Sequence, residues 1–139
     1  MTADSARIEL HLSDDERLLG AVGSAGAFIA GRAGLESDAQ AAMAVAAEEA
    51  CRATFPLLRC ENAKLDVTVE QFSDRIEVTL TYHETRQGES LAEREFARNA
   101  LGAGVDKIKL LSKIDKVRHR TEGGISKTTL VKNLQPGPA

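Results

Sequence analysis

The fold turns on Lys64-Leu65-Asp66-Val67-Thr68-Val69-Glu70-Gln71-Phe72-Ser73-Asp74-Arg75-Ile76-Glu77-Val78-Thr79-Leu80-Thr81-Tyr82. Side chains of an extended chain point alternately to opposite sides. Leu65, Val67 and Val69 therefore share one face of a first strand, and Ile76, Val78, Leu80 and Tyr82 share one face of a second. The Ser73-Asp74 link is short enough for a hairpin. Each strand offers a single apolar face, which predicts a mostly antiparallel sheet covered on one side only.

Toward the N-terminus, Arg7-Ile8-Glu9-Leu10-His11-Leu12 alternates in the same way and predicts another half-buried strand. Ser13-Asp14-Asp15-Glu16 has the spacing of a capping box, and Leu18, Leu19, Val22, Ala25, Phe28 and Ile29 follow at helical spacing as far as Gly31 to Gly34. Gly20, Gly23 and Gly26 lie inside this helix, each costing up to about 1 kcal/mol relative to Ala. Two explanations stay open: close packing on another helix, or a surface that another chain approaches closely. Ser37-Asp38-Ala39-Gln40 is a second capping box, opening an alanine-dense helix through Met43, Ala46, Ala47, Ala50 and Thr54 that Pro56 should end.

Beyond the hairpin, Glu84 to Ser90 is polar and reads as a loop. Helical character resumes from Leu91 to Ala100, breaks at Gly102-Ala103-Gly104, and returns in Val105, Ile108, Leu111 and Ile114. A last hairpin follows, Lys116 to Thr121 and Ser126 to Leu134 around Glu122-Gly123-Gly124. The order β-α-α-β-β-α-α-β-β predicts an α+β two-layer sandwich with helices on one face of a mixed, mostly antiparallel five-stranded sheet. Residues 1–134 are expected to form a single domain, with 135–139 an unstructured tail.

The 139 residues are 42% hydrophobic and 28% charged, ordinary for a globular domain. No apolar run approaches the roughly 18 residues needed to span a bilayer. Met1 to Arg7 carries acid and has no apolar signal core, so the expectation is a cytoplasmic protein away from membranes. Cys51 and Cys60 lack metal-binding spacing and read as reduced thiols. The net charge of −3 hides an asymmetry: −6 on residues 1–50 (9 acids, 3 bases), −2 on 51–103 (9 acids, 7 bases) and +5 on 104–139 (3 acids, 8 bases). With no Trp and one Tyr in the chain, the basic end lacks the aromatics of a nucleic-acid surface, and steering of a charged protein partner is the better use of such polarity.

Two segments carry a family resemblance. Met43 to Ala53, reading Met-Ala-Val-Ala-Ala-Glu-Glu-Ala-Cys-Arg-Ala, resembles a helix of the form L-A-V-x-E-A-x-x-N. Gly104-Val105 through Leu110-Leu111, Ile114-Asp115-Lys116-Val117, and Gly123-Gly124 to Leu130-Val131-Lys132 resemble a closing pattern G-L-G-L, L-x-D-x-V, G-G-T, L-x-K. With the element order from Arg7 to Leu134, the chain resembles the anti-sigma factor kinases of bacterial partner-switching systems, within the histidine-kinase-like ATPase fold.

The resemblance implies a glutamate that polarises the nucleophile and an asparagine that gives Mg²⁺ an oxygen. It also implies an aspartate for the adenine amine, and a Gly-x-Gly that cradles phosphate on free amides. This sequence departs from each. Glu49 stands at the base, but Ala53 stands at the magnesium asparagine. A register one residue earlier makes Glu48 the base and puts Arg52, a cation, at the metal. Tyr82 and His83 replace the adenine aspartate and its glycine. Gly104-Val105-Asp106 puts a carboxylate at the phosphate loop, while Gly102-Ala103-Gly104 keeps the glycine pattern one step earlier.

What the resemblance implies, then, is a regulatory protein-binding module with no Mg·ATP cofactor. Its partner would be a sigma factor or an anti-sigma factor antagonist, met through the helix from Asp14 to Arg32 and neighbouring elements, in a family that often forms homodimers. The alternative is an active ATP- and Mg²⁺-dependent serine kinase that phosphorylates the antagonist, with Glu49 as base and Gly102 to Asp106 as phosphate loop. A third reading is a small-molecule sensor with Tyr82 and His83 on the wall of the vacated pocket. Outside the kinase scheme no Ser/His/Asp or Cys/His set has credible spacing, and no metal site is expected.

Overall fold

The computed structural model describes residues 5–13, 15–55, 58, 64–83, 114–122 and 125–134. Strand β1 (Ala6–Ser13) leads through a 3-10 turn (Glu16–Leu18) into helices α1 (Leu19–Arg32) and α2 (Ser37–Thr54). Strands β2 (Lys64–Gln71), β3 (Arg75–His83), β4 (Lys116–Glu122) and β5 (Ile125–Asn133) complete the described elements. The sheet has five strands in the order β1-β2-β3-β5-β4. The expected α+β sandwich is the fold. The expected helices over 91–100 and 105–114, the tail, and Gly102, Gly104 and Asp106 lie outside the described residues; Ile114 itself is buried and sits just before β4, in no helix.

The decisive hairpin forms as its pattern predicts. Gln71 stands opposite Ile76, and Phe72 donates its N–H to the Arg75 carbonyl at 2.7 Å, so Ser73 and Asp74 alone make the turn. Beside it Arg75 bonds Asp74 at 2.7 Å and lies 4.1 Å over the Phe72 ring. All four strand pairings are antiparallel, so the parallel component allowed by a mixed sheet is not present among the described residues. The β1–β2 pairing follows from the helical hairpin between them: two antiparallel helices return the chain to the sheet running the opposite way.

The core is one cluster. Ile76, Val78, Leu80 and Tyr82 of β3 and Leu65, Val67 and Val69 of β2 meet Val22, Ile29, Met43 and Ala47 of the helices, all essentially shut off from water. On α2 the buried positions Met43, Ala46, Ala47, Ala50, Cys51 and Thr54 recur every three or four residues, one face of a helix.

The helix ends differ from expectation. Ser13 remains in β1, held opposite Lys64 by the sheet ladder, and is thereby lost as a cap. Asp15 caps instead, accepting the Arg17 N–H at 3.0 Å while the Arg17 guanidinium folds onto the same carboxylate at 2.7 Å. At α2 the cap residue is Glu36, with no side-chain cap bond, and Ser37 is already helical. Gln40 reaches back past it to donate to the Leu35 carbonyl at 2.9 Å. The end of α1 is a Schellman motif: Leu35 N–H bonds the Ala30 carbonyl at 3.0 Å and Gly34 N–H bonds that of Gly31 at 3.0 Å. That geometry needs Gly34, whose φ is +91°.

Candidate functional site

The α2 residues singled out by sequence come first. Glu49, Arg52 and Ala53 lie beside the buried face of this helix, not within it. Residues three apart on a helix are neighbours, and Arg52 Nη1 donates to Glu49 Oε1. The two side chains keep 33% and 47% of their exposure, so the pair is solvated. Ala53 packs its methyl against the edge of the core.

This donor set does not fit magnesium held in the manner of the resemblance. Mg²⁺ takes hard oxygen ligands in near-octahedral array. Ala53 offers none, and the nearest carboxylate, Glu49, is already engaged by a guanidinium that would repel a second cation. Shifting the register by one helps little. Glu48 lies in the groove between the helices, where a methyl built on Gly23 would come within 2.7 Å of its carboxyl carbon. Among the described residues no group of three or more His, Cys, Asp or Glu side chains could hold a metal ion.

Strand β3 carries the next pair. Alternation sends Tyr82 to the helix-covered face, where it is 1% exposed, and His83 to the opposite, open face at the strand end. Tyr82 stands opposite Ser126 and His83 opposite Ile125 on β5. The two side chains therefore do not line one wall. Tyr82 extends the Ile76, Val78, Leu80 row of the core instead of presenting a carboxylate at its edge.

The glycine-bearing helix resolves one of the open choices. A methyl on Gly26 would lie 3.2 Å from the Met43 carbonyl oxygen and 3.6 Å from the Ala47 methyl, so this glycine serves close packing of α1 on α2. Gly23 does the same beneath Glu48, and Gly31 beneath Gln40. Gly20 has nothing within 4 Å, and Phe28 on the same helix is 64% exposed. Cys51 is free and buried, its thiol pushed up to about 12 by burial and then by the neighbouring Glu48 charge. Such a thiol is inert packing rather than a nucleophile. Cys60 lies outside the described residues.

Sequence reasoning did not see the open face of the sheet as a surface. The strand registers lay out three rows across it: Arg7, Glu70, Glu77, Val131 and Lys116; Glu9, Thr68, Thr79, Thr129 and Arg118; His11, Asp66, Thr81, Lys127 and Arg120. On the β1 side Arg7 pairs with Glu9 and the His11 ring hydrogen-bonds Asp66, each at 2.7 Å. On the β4 side bases dominate. The block of positive charge over residues 104–139 was the available signal; its face became visible only with the register.

Among the described residues no helix is long and apolar enough to cross a membrane. No family model matches the chain, and no curated protein matches it in sequence.

Proposed function

We propose that the chain is a regulatory protein-binding module of the anti-sigma factor type that works without Mg·ATP. The observation that carries this reading is the state of α2: where the resemblance calls for a free glutamate followed by a magnesium ligand, Glu49 is paired with Arg52 and the next position is Ala53. The partner is a sigma factor or an anti-sigma factor antagonist, and the work done is sequestration, with no phosphoryl transfer. The exposed stretch of α1 around Gly20 and Phe28 supports a role in that contact, since both remain clear of α2.

Calorimetric titration of the protein with ATP, with and without Mg²⁺, tests the reading. The expected result is no heat and no thermal stabilisation up to millimolar nucleotide. Magnesium-dependent binding at micromolar strength would overturn it and install the serine kinase. In that case Glu49→Ala should abolish phosphorylation of an antagonist. Pull-downs that recover neither a sigma factor nor an antagonist would sink the choice of partner.

A further inference from the structure

We infer that the β4 edge of the sheet is a docking site for an acidic peptide segment, taken up in extended form as a sixth strand. Among the described residues β4 is an edge strand, hydrogen-bonded to β5 on one side and to no other described strand on the other. On the open face of the sheet it presents Lys116, Arg118 and Arg120 at alternate positions, with Lys127 of β5 directly opposite Arg120; all four side chains are exposed. Among the described residues Arg118 has Glu77 at 3.6 Å, a carboxylate already bonded to Arg75 at 2.5 Å, and Glu122 ends the same face of the strand. Lys116, Arg120 and Lys127 make no ion pair among the described residues.

The opposite edge supplies the control. Among the described residues β1 is also unpaired on one side, yet its charged residues are of both signs, with Arg7 paired to Glu9 and the His11 ring hydrogen-bonded to Asp66. A chain that needed only to keep its edges from self-association could rely on such mixed charge at both ends. The β4 edge instead carries three bases in succession on one face, Lys116, Arg118 and Arg120, before Glu122. Alternate residues on a strand are about 6.8 Å apart, so an added strand bearing an acid at every second position would match the row residue for residue. A single-stranded nucleic acid would want aromatic platforms for its bases, and the three rows of the open face hold none. The same lysine and arginine row repels the edge of a second copy of itself, so the device selects as well as guards. This surface is distant in sequence from α2, and its test does not depend on the nucleotide result.

The test is fluorescence anisotropy on the full chain with a labelled peptide of alternating Glu and Thr. Two comparison peptides accompany it: one of the same composition with all Glu in one block, and one with Lys for Glu. The alternating acidic peptide should bind, weaken by about tenfold or more between roughly 0.05 and 0.5 M salt, and protect β4 amides from hydrogen exchange. The double variant Arg118→Glu with Arg120→Glu should lose binding by at least about tenfold while keeping the parent's thermal midpoint, since both side chains are exposed. If that variant fails to fold, Lys127→Glu serves, together with the salt dependence and exchange map of the unaltered chain. No binding at about 1 mM peptide overturns the inference. So does equal binding of the block or Lys peptide, unaltered affinity in the charge-reversal variants, or tighter binding of an oligouridylate than of the acidic peptide.

Discussion

Ile8, Val69, Val78, Leu130 and Val117 stand in register across the sheet, and its three inner members are fully buried. One residue along each strand, the row Glu9, Thr68, Thr79, Thr129 and Arg118 is polar from edge to edge. The same backbone and the same ladder of hydrogen bonds hold both rows, yet only one is pressed against helices. Apolar area removed from water contributes about 25 cal/mol per Å², so stabilisation concentrates on the helix-covered side. The other side is free to carry a charge pattern that stability does not dictate, running from mixed charge at β1 to mainly basic residues at β4. Binding surfaces arise where packing leaves residues such a choice.

Neighbours on β3 test that division most severely. Leu80→Ala should destabilise by about 2–5 kcal/mol in urea unfolding, because a fully buried side chain leaves a cavity. Thr79→Ala, one residue away on the open face, should cost less than about 1 kcal/mol, its 3.5 Å contact with Thr129 being a weak hydrogen bond. Equal losses would mean that the open face is covered, and the contrast between the two sides would collapse.

The helix layer yields the next largest effect. Gly26→Val drives a branched side chain toward the Met43 carbonyl, 3.2 Å from the first added carbon, and should cost about 1–3 kcal/mol. Gly20→Ala on the same helix meets nothing within 4 Å and should instead raise stability by about 0.5–1 kcal/mol through helix propensity alone. Thermal midpoints of the two variants separate a packing glycine from an open one. A loss at Gly20 would show that this spot is occupied by a second copy in solution, which sedimentation would register as a change of mass.

How much of this was legible beforehand depended on range. The β2–β3 hairpin was readable because its alternation and its turn are neighbours in sequence. The two helices were readable for the same reason, with the core face of α2 as expected and that of α1 departing at Phe28, which is 64% exposed. The caps were misread because Ser13 had a competing use: pairing with Lys64, 51 positions away, kept it in the sheet, and no local pattern announces that contact. The β1–β2 and β3–β5 pairings, which set the strand order, rest on equally distant partners. At the site, alanine at position 53, where the resemblance puts a magnesium ligand, is legible in sequence. The pairing of Glu49 with Arg52 follows from simple helical spacing, three residues apart on one helix. The split of Tyr82 and His83 onto opposite faces follows from strand alternation, and a pocket wall holding both was expected only because the family resemblance places them side by side.

The smallest effect concerns the cap that replaced Ser13. The Asp15 carboxyl is held below its ordinary value of 3.8, first by the side-chain bond from Arg17 and then by the Arg17 backbone N–H. A carboxylate whose folded pKa lies below its unfolded one binds fewer protons when folded. Its contribution is therefore complete above the unfolded value and is lost as pH falls through the lowered folded value. Both partners lie at the surface, so water and salt screen much of the attraction. Urea midpoints of the parent and Asp15→Asn should accordingly separate slightly near about pH 6 and converge in acid, where both side chains are neutral. Carboxyl NMR can follow Asp15 directly, and Arg17→Ala, which removes the side-chain bond but keeps the backbone N–H, should raise its titration toward the ordinary range. A normal titration in the parent would mean that the cap opens in solution, leaving the start of α1 to be held by Leu19 and Val22 in the core.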